Sequence, residues 1–180
     1  LIYNEEDQTL KALVEKTRRE DITYLPYGVP QHTITNNQTT VTIDGAETSL
    51  KVFGAHNLLN MHAAWLVCRE LGLSPKQFTE AISSFTGAAK RLELLAQNGQ
   101  TIVYRDFAHA PSKVAATLQA VRAQFANKKL IGLLELHTYS SLNKDFMEQY
   151  NGVMDGVDKG AVFYSKHALE IKRLPQLDKE

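Results

Sequence analysis

The chain has 180 residues with 43% apolar side chains, enough for one ordinary domain or two small ones, each with a buried core. Twenty basic residues balance twenty acidic ones and no window gathers Lys and Arg, which excludes the basic face that nucleic acid or an anionic membrane would need. A single cysteine, Cys68, excludes an internal disulfide, and no apolar run approaches the ~20 residues of a membrane span, so we expect a cytoplasmic protein.

The start, Leu1-Ile2-Tyr3-Asn4, has neither an initiator Met nor a signal-peptide pattern, and we expect a piece of a longer chain. Asn4 is placed to cap a helix running to about Glu20, with Leu10, Leu13 and Val14 at helical spacing. "DITYLPYG" reads as strand and turn, and "TTVTIDGAETSLKVFG" as two strands around the hairpin pair Asp44-Gly45. After Gly54, "AHNLLNMHAAWLVCRELGLS" predicts a long helix with Leu58, Leu59, Ala63, Leu66 and Val67 inward, Cys68 a buried thiol, and Gly72 as its stop. Ser74 and Pro75 open another helix.

From Arg91 the pattern changes. "RLELLAQNGQTIVYRDF" reads as strand, Asn-Gly turn and strand. A helix follows Pro111, then the strand "KKLIGLLEL", a helix from Ser141, the strand "GAVFYS" and a short helix from His167. This alternation predicts a parallel sheet of βαβ units, with strands near 101–107, 129–136 and 160–164 adjacent to one another. A domain boundary falls near residues 86–91.

Ligands of an open parallel sheet bind beyond the carboxyl ends of its strands, where helix N-termini also face. Arg105, Asp106 and His109 follow one predicted strand, "HTYSS" the next, and Ser165, Lys166 and His167 the third. Asp106 there either serves a ligand or caps the following helix. Asn57, at the start of the long helix beside His56, either caps that helix or pairs with a base edge through its amide. His56 and His62 are six apart with no third ligand at a metal spacing, so no structural zinc is expected. Neither GxxxxGK[ST] nor GxGxxG occurs, so a phosphate cradle would have to come from elsewhere.

Three stretches carry a resemblance: "GAHNLLNMHAAWLVCRELG", "FTGAAKRLELL" and "YRDFAHAPSKVAATLQAVR". In this order and spacing they resemble the Mur ligase family, ATP-dependent enzymes that join amino acids or peptides to UDP-N-acetylmuramate. "ELHTYSSLNKDFMEQYNG" resembles the branch that attaches the murein tripeptide in peptidoglycan recycling; the L-alanine-adding branch is the alternative, and a non-catalytic nucleotide-binding module is the alternative of another class. The resemblance implies that residues 1–88 are the last part of a central α/β ATPase domain and 89–180 a Rossmann-like C-terminal domain, a parallel sheet with flanking helices. The N-terminal region and the phosphate loop would lie elsewhere in the same protein.

Carried over residue by residue, His56 and Asn57 would meet the adenine of ATP, Arg91 would stand near the nucleotide at the hinge, and Asp106 would bind the ribose. His109, counted with the nucleotide contacts, falls on the first histidine of a His-His-Pro-Thr pattern, which reads here His109-Ala110-Pro111-Ser112, so the second histidine is missing while Ser112 keeps a hydroxyl for the substrate. His137, Ser140 and Lys144 are nominated for the amine substrate. The resemblance further implies Mg2+, with its ligands mostly outside this chain. No catalytic residue and no metal ligand is assigned here, and the 180 residues alone are expected to be inactive.

Overall fold

The computed structural model describes residues 1–173. The chain divides into two compact units, Leu1–Gly87 and Ala88–Glu180.

In the first unit, strand β1 (Ile2–Asn4) pairs in parallel with β2 (Leu25–Tyr27). Helix α1 (Gln8–Lys16) begins later than the sequence implies, because the Asp7 carboxylate accepts from the N–H groups of Thr9 and Leu10 at 2.9 and 3.0 Å. Asn4 instead closes a turn by accepting from Glu6 N–H at 3.0 Å. Of the three apolar positions assigned to this helix only Val14 is buried.

Strands β3 (His32–Thr35), β4 (Gln38–Ile43) and β5 (Ala46–Leu50) form an antiparallel meander. Its second turn is the expected Asp44-Gly45, with φ of +44° and +84°, the pair of left-handed residues that a two-residue hairpin favours. Its first turn, Asn36-Asn37, has φ of +52° and +60° and was not anticipated, because asparagine signals this geometry less strongly than glycine.

Helix α2 (Ala55–Glu70) and helix α3 (Pro75–Ile82) pack on these strands. The core gathers Val41, Ile43, Leu50, Leu58, Met61, Trp65, Leu66 and Phe78. Trp65 and Met61 take the inward places on α2, while Val67 is 48% exposed and Leu59, Ala63 and Cys68 are half-buried. The indole N–H of Trp65 donates to Asp44 at 3.1 Å, which ties the helix to the hairpin turn. Ser74 and Gln77 form a reciprocal capping box at the start of α3.

In the second unit β6 (Glu93–Gln97) and β7 (Ile102–Arg105) form an antiparallel hairpin. Helix α4 (Pro111–Gln124) leads to β8 (Ile131–Leu136), which pairs in parallel with β9 (Lys159–Tyr164). Between them lie α5 (Lys144–Met147) and a 3-10 turn at Glu148–Tyr150, and α6 (Lys166–Lys172) follows β9. The expected alternation is present, and the sheet of β8 and β9 is parallel. The expected adjacency of all three strands is not: β7 pairs with β6 and not with β8.

Alternation along β8 buries Leu134 and Leu136 against Val114, Leu142 and Leu169, and Gly132 beneath Met154 and Val157. Gly132 and Gly160 are partners across the ladder, and a Cβ would stand 2.9 and 3.1 Å from the Met154 methyl. The absence of side chains at both lets the 154–157 loop lie directly on the sheet.

Candidate functional site

In the first unit, Gly54 opens α2 with φ +89° and no side-chain cap. Asn57 turns its amide back to donate to Phe53 O at 2.8 Å. That bond uses one of its two N–H groups and leaves a donor and an acceptor for a partner. His56 and Asn57 are half-buried side by side. His62, one turn further, is fixed through Nδ1 to Gly28 O at 2.7 Å, with the Tyr27 ring 6.2 Å away edge-on. No group of three or more His, Cys, Asp or Glu gathers in metal-binding distance among the described residues.

In the second unit the Asp106 carboxylate accepts two backbone N–H groups, from Leu92 at 2.8 Å and from Ala108 at 2.6 Å. It is not the cap of α4, whose N-cap is Ala110 without a side-chain bond. Asp106 joins the turn after β7 to the segment that enters β6. Lys90 and Leu92 both adopt left-handed φ, +60° and +43°, which is sterically costly for side chains of their size. The Glu93 carboxylate accepts from Lys90 N–H at 2.7 Å, and Phe107 N–H donates to Lys90 O at 2.8 Å. Arg91 is therefore held between two left-handed residues whose N–H groups are both tied to carboxylates. The Arg105 guanidinium, 2.9 Å away, holds the Glu93 carboxyl below its ordinary value, helped by Lys90 N–H.

Beyond Asp106 three rings meet. Phe107 lies 5.3 Å from His109 and 5.6 Å from His137, and the two imidazoles are 6.0 Å apart. His109 Nδ1 is 3.0 Å from Phe107 O, and the Tyr150 hydroxyl donates to His109 O. Burial raises the Tyr150 phenol above its ordinary value. His137 Nδ1 is buried with no hydrogen-bond partner.

The turn after His137 is locked by hydroxyls. Ser141 Oγ accepts from Thr138 N–H at 2.9 Å and lies 2.8 Å from Thr138 Oγ1, and Ser141 N–H donates to Thr138 Oγ1 at 3.1 Å. Beneath it Leu142 is wholly buried. Ser140 is exposed and 3.3 Å from Thr138 Oγ1, Lys144 opens α5 on the surface, and Ser112 is exposed in the first turn of α4. The Lys172 ammonium sits 4.0 Å over the Tyr139 ring.

The structure thus brings together His109 and His137, and Arg91 with Asp106 through Leu92. Ser112, Ser140 and Lys144 stand apart from the ring cluster's contacts. Thr138, Tyr139 and Ser141 lie within the singled-out "HTYSS" without individual roles, and Phe107 and Tyr150 were not singled out. Phe107 was the most readable of them, a large aromatic directly after a strand end.

No protein-family model matches the chain. It is 32% identical over 171 residues to a UDP-N-acetylmuramate–L-alanine ligase of Paenarthrobacter aurescens, covering 90% of this chain and 37% of that protein. The ligase of the same name from Gloeobacter violaceus is 40% identical over 94 residues, covering 52% of this chain and 20% of that one. These relatives support the Mur ligase family.

Among solved structures, the UDP-N-acetylmuramate–alanine ligase of Thermotoga maritima superposes with a TM-score of 0.69 at 21% identity, over 94% of this chain and 39% of that one. The folylpolyglutamate synthetase of Lactobacillus casei gives 0.59 at 12% identity, over 97% and 49%. The fold is the α/β fold that Mur ligases share with that synthetase. The chain spans about two fifths or less of the curated Mur ligase relatives named here.

Proposed function

We propose that this chain is part of an ATP-dependent ligase that forms an amide bond between the carboxylate of UDP-N-acetylmuramate and an amine, with L-alanine as that amine. The likeness to L-alanine ligases over 90% of the chain supports this reading. Residues 1–88 would close a central ATPase domain and 89–180 would belong to a C-terminal domain, in a cytoplasmic enzyme. No helix among the described residues is long and apolar enough to cross a membrane.

ATP supplies, when bound, the phosphoryl group that converts the muramate carboxylate to an acyl phosphate, from which the amine displaces phosphate. The residues here fit a role in holding nucleotide and amine. Asn57 keeps a free donor and acceptor for the adenine edge beside His56. Asp106 has one lone pair per oxygen left after its two backbone bonds, sufficient for the ribose hydroxyls. Arg91 contributes fixed positive charge near the nucleotide. His137, with its unpartnered Nδ1, and His109 across Phe107 would orient the amine substrate, with Ser112, Ser140 and Lys144 as outlying contacts. Mg2+ would take its ligands from other parts of the protein. Such catalysis is chiefly positioning, which suits side chains fixed at strand ends.

The murein tripeptide is the second reading, favoured by Ala110 where the alanine-adding pattern has its second histidine. Phosphate release by the protein containing this chain, measured with ATP and UDP-N-acetylmuramate, separates the two. Turnover with L-alanine supports the first reading, turnover only with the tripeptide supports the second, and none with either leaves the nucleotide-binding module.

A further inference from the structure

We propose that Arg105 is a positioning residue for Arg91, acting through the Glu93 carboxylate and the Lys90 amide. This rests on the reading of Arg91 as a nucleotide contact and deepens it, by naming what holds the backbone on which that side chain stands. Arg91 lies between Lys90 at φ +60° and Leu92 at φ +43°. Neither neighbour is a glycine, and left-handed residues of this size persist only where their surroundings over-determine them.

The surroundings differ on the two sides of Arg91. Leu92 is 8% exposed and its N–H donates to Asp106 at 2.8 Å, so burial and a hydrogen bond both fix it. Lys90 is exposed, and its conformation depends on backbone bonds: its N–H donates to Glu93 Oε2 at 2.7 Å and its carbonyl accepts from Phe107 N–H at 2.8 Å. Glu93 Oε2 also accepts from Arg105 Nη2 at 2.9 Å. One oxygen thus takes a guanidinium from β7 and an amide from the turn before β6, and the guanidinium keeps the carboxylate facing that turn.

A cross-strand ion pair accounts for half of this. Glu93 and Arg105 are direct partners in the antiparallel ladder, and opposite charges so placed and so exposed add little stability. Acceptance of the Lys90 amide is not something a hairpin needs. It lets residues 105–107 grip the turn in succession: Arg105 through Glu93, Asp106 through the Leu92 amide, and Phe107 through the Lys90 carbonyl. The segment that carries Asp106 therefore also frames Arg91, which keeps the cation and the carboxylate in fixed relation. Without Arg105 the Glu93 side chain is free to rotate into water, Lys90 relaxes toward negative φ, and the peptide leading into Arg91 turns with it. Lysine at 105 can restore the contact, because Arg105 makes one N–H bond to Glu93 and not a two-point fork.

The test uses the longer protein that contains this chain. Arg105→Ala should speed exchange of the Lys90 amide by about tenfold, while the Leu92 amide and the melting temperature stay nearly unchanged. KM for ATP should rise by about five- to tenfold with kcat little altered, and Arg105→Lys should recover most of both effects. On an Arg91→Ala background Arg105→Ala should add nothing further to KM, because the side chain it positions is gone. Unchanged Lys90 exchange would overturn the proposal, and so would an unchanged KM in a protein that turns over ATP. An equal rise in KM with and without Arg91 would also overturn it, since Arg105 would then act by another route. A parent protein that turns over no ATP would instead defeat the ligase reading, and Lys90 exchange would still decide whether Arg105 sets the turn around Arg91.

Discussion

The two units differ in how completely their sheets are covered. In the first, Trp65 is 2% exposed and Val41 wholly buried beneath two helices, and the hairpin turn is pinned to the helix by the indole N–H. In the second, one face of β8 is packed against α4 and Leu142 while the other presents Leu133 to solvent, and β9 exposes Val162 and Phe163. Apolar alternation makes a strand but does not say that its second face will be covered; that needs another element.

The contrast can be tested by substitution, beginning with the largest effect. Trp65→Ala removes the ring packed 5.2 Å from Phe78 and should destabilise the first unit by about 3–5 kcal/mol. Exchange of the β4 and β5 amides should accelerate while that of β8 and β9 does not. In the second unit Leu142→Ala should cost about 2–5 kcal/mol, read as a lower denaturant midpoint for the loss of β8 protection. An equal loss in both units would mean that they unfold as one.

Asp158 should show its effect in acid. Its carboxylate accepts from the Arg122 guanidinium at 2.7 Å and from Leu130 N–H at 2.7 Å, and these hold its pKa below the ordinary 3.8. The stabilisation is complete above that ordinary value and is lost as pH falls through the lower folded one. Asp158→Asn should therefore weaken the second unit near neutral pH and flatten its stability on the acid side; an unchanged acid limb would remove the carboxylate from this account. Leu133→Lys should change the stability of the 180-residue chain by less than about 0.5 kcal/mol, since nothing covers that side chain. A large loss in the thermal midpoint would show that the outer face is already occupied.

Most elements were legible because their signals are local. Asp44-Gly45, Ser74-Pro75 and Asn98-Gly99 each mark a turn or helix start through their own backbone preferences, and the structure has them. The α1 cap moved from Asn4 to Asp7 because both residues can accept backbone N–H groups and local sequence does not rank them. Inward faces were harder: Val67 points out and Trp65 in, since α2 is apolar around much of its surface and only the strands beneath it choose a side. The gap between β7 and β8 was invisible, because ladder partners are set by distant segments. At the candidate site, strand-end polarity indicated Asp106, His109 and His137. The hydroxyl lock of Thr138 and Ser141 is local to "HTYSS", spanning three residues, whereas the left-handed Lys90 and Leu92 left no local pattern.

The central functional claim is that Asp106 faces a nucleotide ribose as well as the backbone. Asp106→Asn in the longer protein replaces one acceptor oxygen with an N–H2 group, which must then face a backbone donor, so some loss of stability, about 1–3 kcal/mol, is expected from structure alone. The deciding measurement is kcat/KM for ATP, taken well below the variant's melting transition. A fall of about ten- to a hundredfold, with kcat/KM for the amine at saturating ATP little changed, is the predicted result. A lower melting temperature with kcat/KM for ATP unaltered would contradict it and leave Asp106 as the tie between Leu92 and Ala108.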